Sequence, residues 1–94
     1  MNLYLLSQND NTGYDTYDCV VVAARSPREA SLIHPSGAGW IDGAWRDRRN
    51  NGEIYEYTGS TWANNPANVR IERIGTALTS VRKPGIVLAS FHAG

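Results

Sequence analysis

The sequence predicts an α+β protein: one small antiparallel β-sheet of about four to six strands with one short α-helix packed on it, in the order β-β-α-(β-β)-β-β. Three observations carry this. The runs "LYLLS" (3–7) and "YDCVVVAA" (17–24) are apolar on both faces, as covered central strands are. "SPREASLIHP" (26–35) reads as a helix start followed by a stop. After residue 69 the chain returns to strand-like alternation.

Taken in order, the first strand covers Leu3 to Ser7 and is followed by a polar, acidic loop. The second strand, Tyr17 to Ala24, puts Cys19, Val21 and Ala23 on one face and Val20, Val22 and Ala24 on the other. Both faces are apolar, so a helix should cover one and a further layer or subunit the other. In the helix, Ser26 fits the N-cap, Pro27 the first helical position and Glu29 the third, which completes a capping box. Ala30, Leu32 and Ile33 supply a short apolar face, and His34-Pro35 ends the helix, because proline disfavours helical geometry in the residue before it. With only about two turns, this helix must be held by packing.

From 36 to 66 the composition changes to glycine, asparagine, arginine and all three tryptophans. This stretch reads as an irregular excursion from the single domain 1–94, with a hairpin around "NNG" whose arms are Ala44–Arg48 and Glu53–Thr58. Long excursions from compact domains carry function more often than not. "VRIERIG" (69–75) is the next strand, extended by "TALTSV". "KPGI" then makes a type II turn with Pro84 and Gly85 at its centre, and "IVLASFH" pairs back as the last strand.

Composition bounds the function. An apolar share of 41 % with 19 % charged residues is that of an ordinary globular protein. The longest apolar run, "CVVVAA", is too short to span a bilayer, and "MNLYLLSQND" lacks the basic and cleavage regions of a signal peptide. No membrane association is expected. One cysteine cannot form an internal disulfide, which fits a cytoplasmic location. A net charge of zero argues against strong non-specific nucleic-acid binding. A chain of 94 residues has a thin core, so a homo-oligomer is expected.

The loop "NDNTGYDTYD" (9–18) holds alternating oxygen donors, but its glycine is misplaced for a calcium loop and no bidentate glutamate closes it, so no metal site is expected. As a plain connection it needs asparagine, glycine and aspartate for left-handed and turn geometry. Tyr14, Asp15, Tyr17 and Asp18 exceed that need and fit a recognition surface. A second cluster, Trp40, Trp45, Arg46, Arg48, Arg49, Tyr55, Tyr57 and Trp62, pairs π-faces with guanidinium forks. That combination suits a base with its phosphate, or a protein interface; the structural alternative is that a tryptophan closes the core. Catalytic residues are not expected, since neither His34 nor His92 has an acid beside it and Cys19 stands in a valine run. A site assembled in space from Asp18, Ser90 and His92 is the remaining catalytic alternative. No cofactor motif is present.

The pieces "YLLSQ", "GYDTYD", "VVVAA", "IHP" and "GIVLASFHAG" together resemble a family of small bacteriophage and prophage proteins, over residues 3–35 and 69–94. Small phage proteins of this kind are similar to antagonists of bacterial defence. The resemblance implies a non-enzymatic protein of the infected cell's cytoplasm that sequesters a nucleotide-type messenger. The alternatives are an inhibitor that binds a host defence nuclease complex, or a small accessory enzyme or structural protein. In the sequestration reading, Arg25, Arg46, Arg48 and Arg49 hold phosphate, Trp45 and Trp62 stack, and Tyr14 with Asp15 hydrogen-bonds a ribose.

Overall fold

The computed structural model describes residues 1–48, 51–57 and 59–92. Among these residues seven strands and one α-helix follow one another: β1 (Asn2–Ser7), β2 (Thr16–Ala24), α1 (Pro27–Ser31), β3 (Gly39–Ile41), β4 (Ala44–Arg48), β5 (Ile54–Glu56), β6 (Arg70–Thr76) and β7 (Gly85–His92). A 3-10 turn, Pro66–Asn68, precedes β6. The class is the α+β expected, with the strands divided between two antiparallel sheets. One has four strands in the order β6-β1-β2-β7; the excursion forms a separate three-stranded sheet, β3-β4-β5. Among the described residues no helix is long and apolar enough to cross a membrane.

The double run of apolar residues explains the centre of the large sheet. β1 and β2 pair with Tyr4 opposite Val22 and Leu6 opposite Val20, and these four are buried. They form the inner face, closed by Ala30 of α1 and by Trp45, Trp62, Ala63 and Val69. Leu3, Leu5, Cys19 and Val21 alternate onto the outer face, where they stay partly exposed.

Helix α1 begins as its sequence dictates. Ser26 Oγ accepts from the Glu29 N–H at 3.1 Å. The Glu29 carboxylate reaches one residue further back than a capping box requires, accepting from the Arg25 N–H at 2.8 Å. The α-helix is one turn, shorter than expected, and it stops at Ser31 before His34-Pro35.

Two turns depart from expectation. "KPGI" is not a type II turn. Gly85 lacks a positive φ and already lies in β7 opposite Ala23. β7 therefore pairs with β2 and not with β6, and the chain crosses from one edge of the sheet to the other between them. The second departure is a tight hairpin between β3 and β4, in which Asp42 (φ 51°) and Gly43 (φ 80°) join Ile41 to Ala44. Two consecutive positive φ values define the type I′ turn for which Asp-Gly is a strong signal. The expected hairpin β4–β5 forms as well, with Arg48 opposite Ile54; Arg49, Asn50 and Thr58 of that hairpin lie outside the described residues.

Candidate functional site

The loop 8–18 explains how the excursion is held. Gln8 is buried, donates to the carbonyls of Asn11 (2.6 Å) and Tyr17 (3.0 Å), and accepts from the Asn11 N–H. Asn11 Nδ2 then donates to the Trp62 carbonyl at 2.6 Å. Asp10 Oδ2 accepts from the Asn64 N–H and Asn68 Nδ2, both at 2.9 Å. These donors hold the Asp10 carboxyl below its ordinary 3.8, the Asn64 N–H first and the Asn68 amide second. The loop is thus a polar clasp on segment 62–68, which fixes Trp62 in place.

Trp62 is one wall of a half-open cavity of about 230 Å³, built mainly from the rings of His34, Trp40, Trp45, Tyr57 and Trp62 with Glu56 in its lining. Three stretches of chain bring these rings together. Trp40 and Trp45 face each other across the β3–β4 hairpin, edge to face at 5.1 Å. The Trp45 Nε1–H donates to the Ala63 carbonyl at 2.8 Å, tying β4 to the clasped segment. His34 leaves α1 through a turn in which Gly37 takes φ 98°, and its ring lies 5.1 Å from Trp45 and 4.5 Å from Tyr57. Tyr57 is anchored by its N–H to the Trp45 carbonyl (2.8 Å) and by its hydroxyl to Thr61 (3.0 Å). Its ring folds directly over Gly59, where a Cβ would approach it within 2.7 Å.

Two polar atoms in these walls matter chemically. His34 is buried, and its Nδ1 accepts from the Ser36 N–H at 3.0 Å. Burial lowers its pKa from 6.5 to about 4, so the ring is neutral near pH 7 and carries its proton on Nε2. Trp62 is 2 % exposed, and its Nε1–H has no hydrogen-bond partner among the described residues. An unsatisfied buried donor costs about 1–3 kcal/mol, and native proteins keep few of them. Trp40 also lines an open groove of about 500 Å³ under α1, which includes Arg28 and Asn65.

Of the residues assigned to the ligand from the sequence, Trp45 and Trp62 line this cavity, and Trp40 and Tyr57 of the same cluster line it with them. Both Trp45 and Trp62 are core residues and not open stacking faces. The arginines go elsewhere. Arg25 pairs with Glu29 at 3.3 Å, Arg46 Nε donates to the Ile41 carbonyl at 2.9 Å, and Arg48 is exposed at the end of β4. Arg49 lies outside the described residues. Tyr14 is exposed, with its ring against His92 at 5.0 Å, and Asp15 takes φ 59° with its N–H on the His92 carbonyl; neither lines the cavity.

His34, Glu56 and Gly59 are cavity residues that sequence reasoning does not reach. His34 reads only as a helix-end residue, and nothing local places it against Tyr57. Among the described residues no side-chain hydrogen bond joins Asp18, Ser90 and His92, and no three His, Cys, Asp or Glu side chains converge as metal ligands.

The fold and cavity define a small α+β protein with an aromatic-walled cavity clasped in place by a polar loop. Compared with known proteins, the chain matches no family model, no curated protein and no solved structure.

Proposed function

We propose that this chain is a non-enzymatic, phage-encoded binding protein that counters bacterial defence by sequestering a small nucleotide-type messenger. In this reading the flat heterocycle enters the cavity walled by Trp40, Trp45, Tyr57 and Trp62. The orphan Trp62 Nε1–H carries the reading: it is closed off from the cavity in the unliganded chain, so the walls must part to admit the ring, and a ring nitrogen or carbonyl oxygen then gives that buried donor its missing acceptor. The neutral His34 adds an Nε2–H donor without adding charge. Trp40 and Tyr57, the half-buried walls, accept any base by stacking, worth about 1–3 kcal/mol per base.

The cavity of about 230 Å³ is below the usual range for a whole ligand, so it takes the ring alone. The ribose and phosphates would extend past Trp40 into the neighbouring groove, where Arg28, and not Arg25, Arg46 or Arg48, is the cation at hand. The proposal includes a cytoplasmic homo-oligomer. It assigns no catalytic step, since the shift of His34 comes from burial alone and leaves it a poor base at neutral pH.

The test is calorimetric titration with a panel of cyclic and linear signalling nucleotides, followed by heating and analysis of the released ligand. One member should bind with a Kd well below about 1 mM and be recovered unaltered. Absence of binding across the panel, or conversion of the ligand, would overturn the reading.

A further inference from the structure

The large sheet has two edges, and they are built differently. β6 sets Arg70, Glu72 and Arg73 within seven residues, and charges of that kind discourage a further strand from pairing. β7 spans eight residues, "GIVLASFH", with no aspartate, glutamate, lysine, arginine or proline. Among the described residues no strand pairs with its outer side. Ile86, Val87, Leu88 and Phe91 are 39, 56, 68 and 47 % exposed, so β7 alone holds four of the nine large hydrophobic residues on the described surface. A long apolar edge strand with open N–H and C=O groups is a template for another strand.

The exposed area indicates how much is left uncovered. The chain exposes 5997 Å², against about 5,400 Å² for a folded monomer of its 10.3 kDa mass. That surplus of about 600 Å² belongs to the whole surface, and the four exposed apolar side chains of β7 are part of it. Two copies with zero net charge do not repel each other, and an identical strand is its own antiparallel complement about a two-fold axis.

We infer that β7 pairs antiparallel with β7 of a second copy of this chain, joining the two four-stranded sheets into one of eight strands. This specifies the homo-oligomer of the proposed function, but it rests on the sheet edge and not on the cavity. Failure of nucleotide binding would leave it standing, and a monomer could still bind a nucleotide.

Sedimentation velocity on the full chain tests it, with circular dichroism as a check on folding. Wild type should sediment at twice its 10.3 kDa mass. Leu88→Lys changes an exposed side chain and should leave the fold intact while weakening association by roughly tenfold or more, since a lysine would be partly desolvated in the joined sheet. Ile74→Lys, on the guarded edge strand β6, should leave association unchanged. Single cysteines placed along 86–91 in a Cys19→Ala background should form inter-chain disulfides most readily at one position, the one at the two-fold axis, and less on either side. A monomeric wild type, or a dimer indifferent to Leu88→Lys with no such maximum, would overturn the pairing.

Discussion

The excursion between α1 and β6 holds the three tryptophans and three of the arginines, Arg46, Arg48 and Arg49, and the fold treats Trp45 and Trp62 in the opposite way to Arg46 and Arg48. Trp45 and Trp62 are drawn into the core and Trp40 half-way, where with His34 and Tyr57 they wall one cavity. Arg46 braces a hairpin carbonyl and Arg48 faces solvent. A cluster that reads in the sequence as one base-and-phosphate site is thus two regions, an aromatic interior and a charged exterior. Indole burial is favourable by area and costs only one N–H to satisfy, whereas a guanidinium must satisfy five and keep its charge solvated.

The largest effect expected from this contrast is on stability. Trp45→Ala removes a buried ring, its bond to Ala63 and a face of the cavity, and should destabilise by about 3–5 kcal/mol. That is a large part of the roughly 5–15 kcal/mol of a typical domain, so urea denaturation should show a protein close to unfolded in water. Arg48→Ala should lie within about 0.5 kcal/mol of wild type in the same assay, as surface substitutions do. Equal losses for the two would dissolve the distinction.

A pH titration is expected to come next in size. His34 has a folded pKa of about 4 and an ordinary one of 6.5, so the unfolded chain takes up the proton first. Its contribution is complete above pH 6.5, declines as pH falls, and is gone below about 4, a loss on the order of 3 kcal/mol. Asp10, whose folded value is lowered, acts in the same direction but at lower pH. Denaturation midpoints measured between pH 7 and 4 should fall in wild type and fall less in His34→Gln. A flat profile would mean that the imidazole is not buried as described.

Arg46→Ala is a smaller perturbation. Losing its bond to the Ile41 carbonyl should cost about 1 kcal/mol and leave ligand affinity unchanged. Gly59→Ala should do the reverse, with a modest change in stability but a displaced Tyr57 ring, visible as weakened binding.

Much of the frame was legible because its signals are local. The double-sided apolar runs place β1 and β2, and Ser26-Pro27 with Glu29 places α1. Pairing was less legible. "KPGI" looks like a hairpin, but β7 gains more by adding its inner face to β2, where Ala89 meets Val20 over the core, than by folding back on the charged β6. The Asp42-Gly43 dipeptide is itself a type I′ signal, but it lies inside a stretch whose glycine- and asparagine-rich composition reads as irregular. The cavity could not be read locally. Its walls come from residues 34, 40–45 and 56–62, and composition reveals that tryptophans are present but not which side of them is covered.

The most direct measurement compares binding of the preferred nucleotide, and of its phosphate-free nucleoside, to wild type, Trp62→Phe and Arg48→Ala. Trp62→Phe keeps an aromatic ring and removes the orphan donor. It should weaken both ligands by roughly tenfold, the worth of one buried hydrogen bond, while Arg48→Ala binds as wild type does. Binding that survives Trp62→Phe but is abolished by Arg48→Ala would move the site from the aromatic interior to the charged exterior and contradict the account.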